Sequence, residues 1–261
     1  MINKPIFPTQ LHAAVAKSIH NFFAENHLVD TVLVVNSCAR GQAVPESDLD
    51  FAILLKPSFT KSERKKLESD WLLFANSNKS IQDYKASGPY AHLHLDLIDG
   101  KYNPGTIDIG EPINYFEIEI GNQIGHSAPL NEPGKHYLTL REKWLPFYNE
   151  TLRQERLKNL HAACLYDLTH IALFVKRGLY FQAFDILCKA FQEYLQLLFI
   201  ANKTYPIAYN KWVREQVVNW LNQPQLYPKL APVLSIKNIE SVEILEHAKM
   251  LKHLLNEVKF V

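Results

Sequence analysis

Two apolar runs close together in the first quarter of the chain constrain its fold more than anything else in the sequence. Thr31-Val32-Leu33-Val34-Val35 is dense in β-branched residues, which suit a pleated, buried surface. Leu49 to Leu55 is a second such run, and only the polar stretch 36–47 separates the two. Strands joined by so short a connection pair antiparallel, because a parallel return needs a longer crossover. Around them, Pro8-Thr9 opens a helix whose apolar residues Leu11, Val15, Ile19, Phe22 and Phe23 fall three and four apart. Ser62 to Asn76 reads as another helix, with Leu67, Trp71 and Phe74 on one stripe. Residues 91–98 alternate strictly and predict a third strand, leucines on one face and His92, His94 and Asp96 on the other.

The remainder is organised differently. Gly and Pro mark a loop from Gly100 to Pro112, and segment 113–124 fits either a helix or a strand. Gly125 to Gly134 holds two prolines and two glycines and is read as the boundary between a first domain, 1–135, and a second, 136–261. Beyond it the spacing is helical: Leu152 to Val175, Tyr180 to Asn202 after a break at Arg177-Gly178, Pro206 to Leu221, and Ile239 to Val258. The second half is expected to be an all-α bundle, so that the whole is an α+β chain.

Composition narrows the function. Hydrophobic residues at 47% are enough to bury a core, and 28 basic against 27 acidic residues leave a formal charge of +1. That balance argues against extended nucleic acid as the main partner, since such proteins carry a basic excess. No apolar run reaches the roughly 18–20 residues of a membrane span, and MINKPIFPTQ lacks the apolar core of a secretory signal. Cys38, Cys164 and Cys188 are odd in number and far apart, as expected of reduced thiols in a cytoplasm.

The chemistry-bearing segment is Val32 to Leu55, VLVVNSCARGQAVPESDLDFAILL. Asp48 and Asp50 stand two apart at the opening of a strand, so both side chains point to one face. Two like charges side by side are costly unless a cation lies between them. Carboxylate oxygens are the hard ligands Mg²⁺ prefers, with substrate phosphates completing its shell. Before them, the Ser37 hydroxyl and the backbone N–H groups of a glycine-containing loop could cradle a triphosphate.

This stretch resembles the nucleotidyltransferase superfamily of DNA polymerase β type, whose signature is an apolar strand, Gly-Ser, a short loop with glycine, then Asp-x-Asp in the next strand. Ser37, Arg40-Gly41 and Ser47-Asp48-Leu49-Asp50 carry the resemblance, while Asn36 stands where the family has glycine. Asparagine tolerates unusual backbone angles, which allows the turn to survive. The resemblance implies a mixed β-sheet flanked by helices over 1–135 and a site of Asp48, Asp50 and a third carboxylate. Asp96 fits that third place best and Asp99 second. Two Mg²⁺ ions would serve as cofactors and a nucleoside triphosphate, ATP foremost, as donor, with Ser37, Arg40, Gly41 and Ser47 around its phosphates.

Together with the helical second half, the chain is similar to stand-alone antibiotic nucleotidyltransferases acting on aminoglycosides or lincosamides. That implies a small hydroxylated acceptor, no membrane partner, and helps from 136–261 in binding acceptor or nucleotide; a homodimer is left open. Ala201 to Pro206 and Tyr209-Asn210-Lys211-Trp212 look like a segment of those relatives, and Lys211, expected in the first turns of a helix, would meet the triphosphate as a compact charge aided by the helix dipole. The alternatives are a regulator that adenylylates a protein, an antitoxin-like module, and a decayed nucleotide-binding protein. His92 and His94 share the face of Asp96, where they could assist a metal or polarise substrate, and are read first as a solvated pair; Glu117 and Glu119 are read as either acceptor-pocket residues or a solvated face. Arg156-x4-His161 has the spacing of a ribonuclease motif of some HEPN-type domains, a pattern that arises easily on any charged helix.

Overall fold

The structure, a computed structural model, describes residues 3–130 and 132–259. The chain divides into two units, Met1–Tyr102 with Glu119–Pro146, and Asn103–Ile118 with Phe147–Val261.

In the first unit, α1 (Gln10–Phe23) starts where the Thr9 hydroxyl accepts a hydrogen bond from the His12 N–H, and it buries Val15, Ala16, Ile19 and Phe23. It leads into β1 (Val29–Val34), a single helical turn α2 (Asn36–Ala39), and β2 (Leu49–Leu55). Next comes α3 (Lys61–Ser77), opened by a reciprocal cap between Thr60 and Glu63, and α4 (Lys79–Lys85), capped by Asn78. After β3 (Leu93–Ile98) the chain enters the second unit's segment Asn103–Ile118, where α5 (Phe116–Ile120) begins, and it returns to the first unit within α5, which runs into a π-helical turn at Gly121–Gly125. A two-residue β4 (Ala128–Pro129) and α6 (Lys135–Trp144) complete the unit. The ambiguous segment 113–124 is therefore helical where it is regular, while α4 and β4 were not foreseen.

The strands lie in the order β3-β2-β1-β4. β1 and β2 are antiparallel, as their short connection requires, with Val34 opposite Phe51. β2 and β3 are parallel, since α3 and α4 form the crossover between them, and Asp50 stands opposite His94. Val32, Val34, Phe51, Ile53 and Leu55 meet Ile19, Phe23, Trp71 and Tyr84 of the helices in one core. Asp30 anchors α6 by accepting from the His136 and Tyr137 N–H groups at 3.0 Å each, an acid placed at a helix N-terminus. A side chain at Gly134 would collide with that carboxylate.

The second unit is built on α7 (Glu150–Lys176) and α8 (Tyr180–Ala201), which pack along one another and are joined by a turn with Gly178 at φ 70°. The long helices foreseen on either side of Arg177-Gly178 are present nearly as spaced. The short α9 (Val213–Glu215) passes into a π turn at Gln216–Trp220, α10 (Tyr227–Leu230) into a 3₁₀ turn, and α11 (Ile244–Glu257) packs on both α7 and α8.

The helix expected over 206–221 is a correction. Residues 206–212 form an irregular segment, buried at Ile207 and Tyr209 and exposed from Asn210 to Trp212, that is held by one side chain. Gln216 Nε2 donates to the Ala208 and Lys211 carbonyls at 2.9 and 2.8 Å, and its Oε1 accepts from the Ile207 N–H at 2.9 Å. The backbone groups that a helix would have satisfied are met by that amide instead. A left-handed Trp212, φ 56°, marks the start of the short helix.

Candidate active site

The turn after β1 is tight and specific. Asn36 adopts φ 56°, a left-handed angle that asparagine accepts more readily than most residues, so it serves where a glycine was expected. Arg40 and Gln42 N–H groups then both donate to the Ser37 carbonyl, at 3.2 and 2.9 Å. Gly41 follows at φ 68°, and a Cβ there would press to 3.0 Å from Ile6 Cδ1. The Ser37 hydroxyl is buried with no hydrogen-bond partner beyond the neighbouring Cys38 thiol among the described residues.

The turn before β2 is fixed just as firmly. Val44 N–H donates to Ser47 Oγ at 2.9 Å and Ser47 N–H returns to the Val44 carbonyl at 2.8 Å. The Ser47 carbonyl accepts from Tyr84 Oη at 2.9 Å and lies 3.0 Å from His12 Nε2. A carbonyl only accepts, so the His12 proton sits on Nε2, and Nδ1 faces the Thr9 hydroxyl at 2.7 Å. Tyr84 and His12 are both buried and meet edge to face. The residue immediately before Asp48 is thus held by two side chains from two helices, α1 and α4. Nothing in the sequence pattern singled out His12 or Tyr84, because each acts through a carbonyl distant along the chain.

Asp48 and Asp50 flank the start of β2 on one face. His94, opposite Asp50 in the parallel ladder, joins them. Single ligand atoms of Asp48, Asp50 and His94 lie within 4.8 Å of one another, and His94 Nε2 is 3.9 Å from Asp48 Oδ2. Two carboxylates and an imidazole are a donor set that suits a divalent cation. The buried Cys38 thiol behind them is pushed up to about 11, by burial first and then by the Asp50 and Asp48 charges, so it stays protonated. The Tyr84 phenol is likewise driven well above its usual range by burial, then by Asp48.

Asp96 is exposed, two residues beyond His94 on the same face and opposite Ala52. It is thus about 6–7 Å farther along the strand, outside the group of three. Asp99 lies past the end of β3, where its Oδ1 accepts from the Lys101 N–H at 3.0 Å and shapes a turn. His94, read from the sequence first as half of a solvated pair and second as an aid to a metal, stands with the two aspartates; its register opposite Asp50 was the missing signal. Arg40 is half-buried ahead of Gly41. Lys211 is exposed in the second unit and precedes the three-residue α9, so the helix-dipole argument attached to it lapses.

Glu117 is neither a pocket residue nor a solvated one. It is fully buried in the second unit, where Arg156 grips it with two bonds of 2.7 and 2.9 Å. Tyr148 Oη and Gln196 Nε2 add bonds of 2.8 and 2.9 Å. Arg156 Nη1 donates to the Pro104 carbonyl, and Nη2, shared with Glu117, also donates to Asn114 Oδ1, tying segment 103–118 to α7 and α8. With its guanidinium so occupied, Arg156 is not available for the ribonuclease role its spacing to His161 suggested. Glu119 is exposed, with its pKa raised by desolvation.

The family model for the nucleotidyltransferase domain matches residues 16–85, the stretch from α1 to α4 that contains both turns and both aspartates. The chain therefore carries a nucleotidyltransferase domain in its N-terminal part, as the resemblance of Val32 to Leu55 implied. The mixed sheet with flanking helices and the helical C-terminal region fit that assignment. β3, with His94 and Asp96, lies beyond the matched residues. Among solved structures, a nucleotidyltransferase-like protein from Exiguobacterium sibiricum 255-15 is similar at 15% identity, covering 93% of this chain and 74% of its own, with a TM-score of 0.40. No curated protein matches the chain. Among the described residues, no helix is long and apolar enough to cross a membrane.

Proposed function

We propose that the protein transfers a nucleoside monophosphate, AMP from ATP foremost, to a hydroxyl of a small molecule in the cytoplasm, releasing pyrophosphate. The observation that carries this reading is the meeting of Asp48, Asp50 and His94 at one strand opening, inside or beside the matched domain and next to the turn holding Ser37 and Gly41. Asp48 and Asp50 would hold divalent ions, two Mg²⁺ in the first instance. Such ions, when bound, supply positive charge to the attacking and leaving oxygens of an in-line displacement.

The chain's own residues do the rest. The N–H groups of the turn through Gly41 are offered to the triphosphate with Arg40 beside them, and the buried Ser37 hydroxyl must turn outward from Cys38 to join them. The acceptor oxygen forms its bond to the α-phosphorus as the bond to the bridging oxygen breaks, and the acceptor proton passes to Asp96, exposed on the face that carries Asp48 and Asp50. Tyr84 and His12 hold the Ser47 carbonyl and thereby the approach to Asp48. Positioning of this kind accounts for much of the rate in phosphoryl transfer.

The test is a pyrophosphate-release screen of the four nucleoside triphosphates with Mg²⁺ against aminoglycosides, lincosamides and a panel of hydroxylated metabolites. Release that depends on one acceptor supports the reading. Release with none of them, together with labelling of protein from α-labelled ATP in a lysate, would replace the small acceptor by a protein.

A further inference from the structure

The face beside the two aspartates carries a nitrogen donor. We infer that His94 is a direct ligand of the ion held by Asp48 and Asp50, and that it makes the site prefer Mn²⁺ and Co²⁺ to Mg²⁺. This rests on the metal-dependent reading above and specifies its ion.

Three observations support it independently of the sequence motif. The ladder sets His94 directly opposite Asp50, so the pairing of β2 with β3 fixes the two Cα positions relative to each other. The His94 Nε2, an Asp48 oxygen and an Asp50 oxygen lie within 4.8 Å of one another. Two donors on one ion, each with a bond of about 2.1 Å, stand about 3–4 Å apart, so the trio needs only small side-chain rotations to close. His94 and Asp48 side chains are 60% and 47% exposed, which leaves them free to make those rotations. Asp96, by contrast, lies one pleat farther on and outside the trio.

The consequence follows from ligand chemistry. Mg²⁺ favours oxygen and gains little from an imidazole, whereas affinity for nitrogen donors climbs from Mn²⁺ to Co²⁺ along the transition series. A third oxygen ligand in place of His94 would leave the site to Mg²⁺.

The experiment is calorimetric titration of the untagged, nucleotide-free full chain with MgCl₂, MnCl₂ and CoCl₂, repeated on His94→Asn and on Asp48→Asn. Exposed His94 is not needed for folding, and circular dichroism verifies this for each variant. The expected result is Co²⁺ binding at least about tenfold tighter than Mg²⁺, with His94→Asn weakening Co²⁺ and Mn²⁺ at least about tenfold and Mg²⁺ less than about threefold. Pulsed EPR of the Mn²⁺-loaded protein should show nitrogen hyperfine coupling that His94→Asn removes. Co²⁺ affinity unchanged by His94→Asn, or Mn²⁺ bound without nitrogen coupling, overturns the inference. Co²⁺ binding that survives both substitutions also overturns it, since the ion then sits on other histidines. Pyrophosphate release lost in Asp48→Asn would in either case leave the nucleotidyl-transfer reading standing, so the two failures are told apart.

Discussion

Replacing Glu193 by glutamine should stabilise the protein by an amount that grows from about pH 4.5 and is complete by about pH 7. Glu193 on α8 is 3% exposed and shares Lys189 with Asp167 of α7. Lys189 Nζ is 2.9 Å from Asp167 Oδ2 but 3.4 Å from Glu193 Oε1, and the other Glu193 oxygen is buried with no hydrogen-bond partner among the described residues. One cation thus faces two carboxylates where little water reaches. Burial first, and then the Asp167 charge, raises the Glu193 pKa from 4.5 to about 7, with Lys189 pulling the other way. A folded-state pKa above the unfolded one means that the group's stabilising contribution is whole below about 4.5 and is lost as pH rises through about 7. At about 1.4 kcal/mol per pH unit the loss is on the order of 3 kcal/mol. Glutamine keeps the shape, cannot ionise, and leaves Lys189 its shorter pair with Asp167. Thermal and urea melts followed by circular dichroism should therefore show little difference between Glu193→Gln and wild type near pH 4.5–5. At pH 8 the variant should melt about 6–12 °C higher, at about 2–4 °C per kcal/mol for a chain of this size. An equal gap at both pH values, or a variant less stable at pH 8, would refute the argument.

Three further outcomes are expected. Glu117→Ala should destabilise the second unit by about 3–5 kcal/mol, because it leaves the Arg156 guanidinium buried without its counter-charge; a urea midpoint unchanged from wild type would contradict this. Gly41→Ala should cost about 1–2 kcal/mol, mostly for a left-handed backbone angle, since Ile6 is 62% exposed and can move aside; equal stability in denaturant melts would argue against the turn as described. Tyr84→Phe removes one of two side-chain donors to the Ser47 carbonyl and should cost about 1 kcal/mol of stability. If the proposed reaction is right, its kcat should fall further than its nucleotide affinity, and kinetics of the purified variant would separate the two.

What the sequence disclosed and what it hid divide along physical lines. Dense β-branched runs and clean three-four spacing announce β1, β2, α3, α7 and α8, since their burial is written into local pattern. The turn around Asn36 and the pair Asp48 and Asp50 were legible because a tight turn and a cation demand particular residue types at fixed spacing. α4 was hidden: the stop of α3 and the start of α4 share Asn78, and only Ile81 and Tyr84 of α4 turn inward. The 206–221 segment carried helical spacing, yet the Gln216 amide bonds the loop in front of it, a tertiary arrangement that periodicity does not encode. The burial of Glu117, left open between a pocket and a solvated face, was hidden because its partners Arg156 and Gln196 stand 39 and 79 residues away. His94 was undervalued for a related reason. Whether a residue on β3 faces Asp50 depends on the register of a parallel pair, and the crossover between the strands fixes that register.

The most direct test of the account is the rate of pyrophosphate release from Mg²⁺-ATP with the best acceptor, measured for wild type, Asp48→Asn and Asp50→Asn side by side. Each asparagine removes a negative ligand while nearly preserving shape, so both variants should fold as wild type by circular dichroism and lose at least about 100-fold in rate. Either folded variant releasing pyrophosphate at the wild-type rate would contradict the claim that these two carboxylates hold the reaction's metal.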